Sequence, residues 1–126
     1  MKYIFTLSGN SDRFVQEGFI TKPLIKIKDK LVIEYVMDIF PGIDFKNVTF
    51  IVNDKDVNAY NIDKVLKKLY PESTVIPISS HTKGPVSSIL KIKNKIENNE
   101  PYIVSYCDLT YKWDYTAFIN EIIKTN

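Results

Sequence analysis

The chain has little of the chemistry that several protein classes require. Its 126 residues include one cysteine and one histidine, which argues against an internal disulfide framework and against a zinc site built of soft ligands. Seventeen Lys plus Arg stand against 15 Asp plus Glu, and the lysines are dispersed, which argues against nucleic acid as the main partner. No apolar run is long enough to cross a bilayer. With no signal peptide pattern either, we expect a cytoplasmic protein without a membrane partner.

Short apolar runs alternate with helical stripes along the chain. The predicted strands are residues 2–8, 48–52, 74–78 and 103–107, with a short edge strand at 24–27, and the predicted helices are residues 31–40, 61–70, 84–97 and 114–124. This alternation predicts one α/β domain over residues 1–126, a three-layer Rossmann-like sandwich whose mainly parallel sheet is covered on both faces. Because ligands of such sheets bind at the carboxyl ends of the strands, the polar residues that follow the strands are the candidates for function.

The loop after the first strand carries the only arginine of the chain, Arg13. A guanidinium grips phosphate or carboxylate with two parallel hydrogen bonds, which a lysine cannot do. The small residues Gly9–Ser11 leave backbone N–H groups free to face an anion. This loop therefore suits a phosphate group. The alternative is an ordinary surface ion pair between Arg13 and an acid such as Asp12.

Three further sites follow the pattern of polar residues near strand ends. Lys22 precedes Pro23, which holds its neighbour extended and suits a lysine aimed at a phosphate, although a solvated surface lysine is the alternative. Thr82 to Pro85 form a loop before a helix, which can contact an anion or a base edge or simply cap the helix. Asp108 follows the last strand and suits either a divalent cation or an N-cap. Cys107 is predicted to pack in the core, and His81 receives no catalytic role.

Together these residues resemble the sugar-phosphate nucleotidylyltransferases, and most closely the capsule and lipopolysaccharide biosynthesis branch of the nucleotide-diphospho-sugar transferase fold. Members open with a strand, a G-x-G-x-R-F loop and K-P-L, and continue to a T-x-G loop and an aspartate after the fourth strand. The matching residues here are Gly9 to Phe14, Lys22-Pro23-Leu24, Thr82-Lys83-Gly84 and Asp108.

The resemblance implies a role for each matching residue. The implied nucleotide-binding residues are Ser8, Gly9, Asn10, Ser11, Thr82 and Gly84, the implied catalytic residues are Arg13 and Lys22, and the implied Mg²⁺ ligand is Asp108. The implied reaction is attack of a sugar-phosphate oxygen on the α-phosphate of a nucleoside triphosphate, with release of pyrophosphate. Positioning and charge neutralisation, rather than a covalent nucleophile, would drive it.

Two departures from the family pattern keep alternatives open. Ser11 replaces the second glycine of the loop, and the family continues well beyond the length of this chain. We therefore expect the N-terminal, nucleotide-binding part of such an enzyme, which either self-associates or docks to a C-terminal half. The alternatives are a non-catalytic nucleotide-binding or interaction module and a glycosyltransferase that uses a nucleotide sugar. Glycosyltransferases of this fold typically carry a D-x-D pattern, and Asp108-Leu109-Thr110 offers a single aspartate.

Overall fold

The computed structural model describes residues 1–9 and 15–125. Its strands are β1 (Lys2–Leu7), β2 (Lys26–Ile27), β3 (Lys30–Leu31), β4 (Val48–Asn53), β5 (Thr74–Ile78) and β6 (Tyr102–Tyr106). Four of them form a sheet in the order β5-β4-β1-β6, and every pairing in it is parallel. The predicted α/β class and mainly parallel sheet are confirmed. The prediction of an edge strand at 24–27 is wrong, because only Lys26 and Ile27 form a strand, and this strand pairs with β3 in a separate hairpin instead of joining the sheet.

The helices follow the predicted alternation with two differences. They are α1 (Val32–Met37), α2 (Asp54–Tyr60), α3 (Ile62–Leu69), α4 (Pro85–Lys91) and α5 (Tyr115–Thr125), with short 3₁₀ helices at Lys22–Leu24, Phe45–Asn47 and Lys93–Lys95. Helix α2 was not predicted. The predicted helix over 84–97 ends at Lys91, because Ile92 takes a non-helical backbone (φ −111°, ψ 14°) and is 3% exposed in the core.

Side chains of β1 alternate between two cores, one on each face of the sheet. Tyr3, Phe5 and Leu7 belong to the larger core, with α1 and α3 packed over them. Ile4 belongs to the smaller core, which Ile92 closes from the other face. Burial on both faces is what a central parallel strand requires, and it explains the continuous apolar character of β1 and β4.

Parallel pairing brings the carboxyl ends of the inner strands to one edge. Leu7 at the end of β1 is opposite Val52 of β4, and Thr6 is opposite Tyr106 of β6. The residues directly after these strands are consequently neighbours in space. In the described ranges, 1–9 and 15–125, no helix has the length and apolar character needed to cross a membrane.

Candidate functional site

A cleft of about 310 Å³ lies at the carboxyl edge of the sheet. It brings together six of the residues singled out from the sequence, which are Ser8, Gly9, Lys22, Thr82, Gly84 and Asp108. They come from four separate parts of the chain, which the fold brings together. Asn10, Ser11 and Arg13, the remaining predicted site residues, lie outside the described residues.

Lys22 and Asp108 form an ion pair at this cleft, with 3.6 Å between Lys22 Nζ and Asp108 Oδ2. Lys22 begins a 3₁₀ helix with Pro23 in its first turn, and Pro23 and Leu24 are buried, which fixes the backbone from which the lysine projects. The two side chains are 33% and 45% exposed. An ion pair with this much solvent contact contributes only about 0–1 kcal/mol to stability. Each of the two groups can therefore leave the other and bind a ligand instead.

A buried hydrogen-bond network fixes the loop residues behind the cleft. The hydroxyl of Thr21 donates to Asp56 Oδ2 at 2.8 Å, and the side-chain amide of Asn53 donates to the same oxygen at 3.2 Å. That amide also donates to the carbonyl of Gly9 at 3.4 Å. Asn53, Asp56 and Thr21 are each at most 7% exposed. One carboxylate at the start of α2 thereby ties Gly9 and the neighbour of Lys22 to the same support.

Sequence reasoning missed this network because it missed helix α2. A signal for it exists in the chain, since Asn53 ends an apolar strand and an acid, Asp56, follows three residues later. That spacing is typical of a helix N-terminus. The structure shows the corresponding cap, in which the backbone N–H of Asp56 donates to Asn53 Oδ1 at 2.7 Å.

A second chain of hydrogen bonds, buried at its serine end, joins Ser8 to helix α4. The backbone N–H of Lys83 donates to His81 Nδ1 at 3.1 Å. In neutral histidine this places the ring proton on Nε2, which lies 2.8 Å from Ser88 Oγ. Ser88 Oγ is in turn 2.6 Å from Ser8 Oγ, and both serines are at most 2% exposed. Either serine can be the donor in this hydrogen bond, which in both cases holds the Ser8 side chain against α4.

Neither Ser88 nor a role for His81 was predicted from the sequence. In isolation, a serine in an amphipathic helix and a loop histidine carry no functional signal. Their function becomes visible only when β1 and α4 are adjacent. His81 and Ser88 both line the cleft, and they act there as supports for Ser8.

Gly84 ends the loop before α4 in a backbone conformation that favours glycine, with φ +86° and ψ 176°. A side chain there would meet open space, so the requirement is conformational and not steric. Pro85 takes the first helical position, as predicted. Thr82 and Gly84 are exposed toward the cleft, where they are accessible to a ligand.

Cys107 lies at the end of β6, between the cleft and the larger core. Burial, reinforced by the charge of Asp108, raises the pKa of its thiol to about 12. The thiol is therefore protonated near neutral pH and is a poor nucleophile. The prediction that Cys107 packs rather than reacts agrees with this environment.

Asp108 is compatible with Mg²⁺ held jointly by protein and phosphate. In the part of the chain that the structure describes, no three or more His, Cys, Asp or Glu side chains form a group able to hold a metal ion. Mg²⁺, however, is commonly bound through one or two carboxylates together with substrate phosphates and waters. An exposed carboxylate beside the first loop fits that mode, and it does not fit a cage made by protein alone.

Comparison with known proteins assigns the chain to a family. Residues 7–122 match the family model of the MobA-like NTP transferase domain, from the end of β1 into α5. The match covers most of the chain, which therefore belongs to this family. No curated protein sequence matches the chain significantly. The general activity of the family is nucleotidyl transfer from a nucleoside triphosphate.

Proposed function

We propose that this MobA-like NTP transferase domain is a Mg²⁺-dependent nucleotidyltransferase that transfers a nucleoside monophosphate to a phosphorylated acceptor. The observation that carries the proposal is the meeting of the first loop, Lys22, the Thr82–Gly84 loop and Asp108 in one cleft. The acceptor class implied by the sequence resemblance is a sugar phosphate, and the implied process is capsule or surface polysaccharide biosynthesis in the cytoplasm.

In this proposal the two loops divide the nucleotide between them. Ser8, Gly9, Asn10 and Ser11 receive the phosphates, and Arg13 grips the outer ones through its fork of N–H groups. Thr82 and Gly84 contact the base. The network through Asn53 and Asp56 supports this by fixing Gly9 before the ligand arrives, which lowers the entropy that binding must overcome.

Transfer then needs alignment and charge neutralisation at the α-phosphate. An oxygen of the acceptor phosphate forms a new bond to the α-phosphorus while the bond from that phosphorus to the β-phosphate oxygen breaks, and pyrophosphate leaves with the electron pair. Lys22 stabilises the negative charge that builds on the α-phosphate oxygens. Asp108 would hold Mg²⁺, which supplies positive charge to the triphosphate. Both residues exchange their mutual ion pair for the ligand.

Calorimetry tests the binding half of the proposal. Each common nucleoside triphosphate is titrated into the chain with and without MgCl₂, and we expect one or more to bind, with binding strengthened by Mg²⁺. No heat and no thermal shift with any of them would overturn the proposal.

The variant Lys22→Gln tests the catalytic half, with pyrophosphate release as the readout. Loss of one group that stabilises transition-state charge lowers a rate by roughly 10²-fold, so we expect a fall of that order with a much smaller change in nucleotide affinity. Lys26→Gln is the matched control, because Lys26 is an exposed lysine of the nearby hairpin outside the cleft. An unchanged rate in Lys22→Gln would remove that residue from the reaction.

A further inference from the structure

A second cavity of about 740 Å³ adjoins the nucleotide cleft. Its apolar lining residues are Phe19, Ile25, Ile27, Val32 and Tyr35. Lys22 and Asp108 line both cavities, so this ion pair forms the wall between them. A molecule in the second cavity therefore meets the nucleotide site at the residues proposed to surround the α-phosphate.

The described lining of this cavity has few neutral side chains that can pair with sugar hydroxyls. Tyr35 already donates its hydroxyl proton to the carbonyl of Ile27 at 2.9 Å. Apart from Tyr35, Thr110 is the one neutral polar side chain among the described lining residues. A fully hydroxylated ring that covers Ile25, Ile27 and Val32 would lose water there without gaining replacement hydrogen bonds from these side chains, which is unfavourable. Ile27 and Phe19, 50% and 52% exposed, would instead lose contact with water when an apolar ligand covers them.

Two lysines give the cavity a place for a phosphate. Lys22 stands at the wall toward the nucleotide cleft, and Lys28, on the turn between β2 and β3, lines the same cavity. Lys28 has φ +56°, a backbone conformation that favours glycine. Glycine, the residue favoured in this conformation, has no side chain. Lys28 instead places an ammonium group beside the apolar lining. The combination of apolar walls with two cations complements an amphipathic anion.

We propose that this second cavity is the acceptor site, and that its acceptor is a soluble phosphomonoester with a largely apolar body in preference to a fully hydroxylated hexose phosphate. The proposal rests on the nucleotidyltransferase function argued above. The acceptor phosphate lies toward Lys22, where its oxygen faces the α-phosphate, and the body of the molecule covers Ile25, Ile27 and Val32.

Two ring compounds of similar size test this preference directly. Cyclohexyl phosphate and glucose 1-phosphate both carry one phosphate on a six-membered ring, and they differ mainly in hydroxyl groups. Each is titrated into the chain, with affinity measured by calorimetry and the contacted residues mapped by backbone NMR shifts. We expect cyclohexyl phosphate to bind at least tenfold more tightly and to shift residues 25–35. Equal or tighter binding of glucose 1-phosphate, or no binding of either compound at millimolar concentration, would overturn the proposal.

Matched variants separate the apolar contact from the charge. Ile27→Asn should weaken cyclohexyl phosphate at least fivefold, while Ile123→Asn, at an exposed isoleucine on α5, should leave it unchanged. Lys28→Gln should weaken both phosphates, with Lys26→Gln as its control. Equal effects of the isoleucine variants, or an effect of Lys26→Gln as large as that of Lys28→Gln, would overturn the assignment of this cavity.

Nucleoside triphosphate titrations on the same variants keep the two proposals distinguishable. Ile27→Asn should bind triphosphate as the unaltered chain does, because Ile27 does not line the nucleotide cleft. Triphosphate binding without the cyclohexyl preference contradicts the acceptor proposal alone. Failure of triphosphate binding contradicts the nucleotidyltransferase function, on which the acceptor proposal depends.

Discussion

The two sides of the nucleotide cleft are held in different ways. On one side, Ser8 and Ser88 are buried and their oxygens are 2.6 Å apart. On the other side, Lys22 and Asp108 are partly exposed and their charged atoms are 3.6 Å apart. Buried hydrogen bonds specify one arrangement, whereas an exposed ion pair is weak enough to open. Under the proposed function, Ser8 would have a preformed support, and the Lys22–Asp108 pair on the other side would rearrange around the phosphates and the metal.

Asp56 links the two sides of the cleft, because its carboxylate accepts hydrogen bonds from Thr21, next to Lys22, and from Asn53, which also holds Gly9. Asp56→Ala leaves two buried donors without their shared acceptor. Each unsatisfied buried group costs about 1–3 kcal/mol, so we expect the free energy of unfolding to fall by about 2–6 kcal/mol. Triphosphate affinity should fall as well, because Gly9 and Lys22 both lose their common support. Urea denaturation and calorimetry measure the two effects.

Asp54→Ala is the control for this variant. Asp54 lies in the same helical turn but is exposed, and its carboxylate accepts one exposed hydrogen bond, from the Ser80 N–H at 3.3 Å. Its loss should therefore cost no more than about 1 kcal/mol. If Asp56→Ala and Asp54→Ala lower the free energy of unfolding by the same small amount, the buried network contributes no more to stability than an exposed acid does.

Arg13→Lys tests the phosphate end of the preformed side. Arg13 lies outside the described residues, and its role stays a prediction from the sequence. A charge-assisted hydrogen bond contributes about 1.5–3 kcal/mol, so replacing the fork by a single ammonium should weaken triphosphate binding tenfold or more. Monophosphate binding should change much less, because the lost contact is to the outer phosphates. Equal losses for both nucleotides would place Arg13 elsewhere.

Asp108→Asn tests the side of the cleft that carries the Lys22–Asp108 ion pair. The amide keeps the size of the side chain but not its charge, so the dependence of triphosphate binding on Mg²⁺ should disappear while thermal stability stays the same. Loss of the exposed pair with Lys22 changes stability by about 0–1 kcal/mol at most. Asp38→Asn, which removes another exposed acid paired with a lysine outside the cleft, is the control and should keep the full Mg²⁺ response. An unchanged response in Asp108→Asn would reduce Asp108 to a structural acid.

The sequence predicted the parts of the fold that depend on local periodicity. Four strands and most helices follow from apolar spacing, and the carboxyl-edge rule then brings Ser8, Thr82, Gly84 and Asp108 to one cleft. Helix α2 escaped prediction because Asp54 to Tyr60 carry few apolar residues, and its stability comes from the Asn53 cap and from packing. Local patterns do not encode that contribution.

The supports of the site could not be predicted for a related reason. Ser8 and Ser88 are 80 positions apart in the chain and become partners only through the packing of α4 against β1. Likewise, the second cavity brings together Phe19, the hairpin and Asp108, which share no motif. From a single sequence, residues that bind a ligand can be predicted because their chemical type is informative. The sequence does not mark the residues that hold those in place.

Ser88→Ala carries the smallest expected effect and examines the preformed side most directly. The change removes a hydroxyl and leaves both Ser8 Oγ and His81 Nε2 without the group that joins them. A neutral hydrogen bond contributes about 1 kcal/mol, so we expect stability to fall by about 1–2 kcal/mol. Triphosphate affinity should fall several-fold, since the Ser8 hydroxyl is no longer oriented. Ser88→Thr, which keeps the hydroxyl, should recover part of the affinity.

Ser87→Ala separates this role from a general effect of altering α4. Ser87 is the neighbouring serine on the same helix, and it does not line the cleft. Its replacement should leave nucleotide affinity unchanged. If Ser88→Ala loses stability but binds triphosphate normally, the hydrogen bond between α4 and β1 serves only to hold the fold. In that case Ser88 does not help to preform the nucleotide site. The remaining preformed support would then be the Asp56 network, in which Asn53 holds the carbonyl of Gly9.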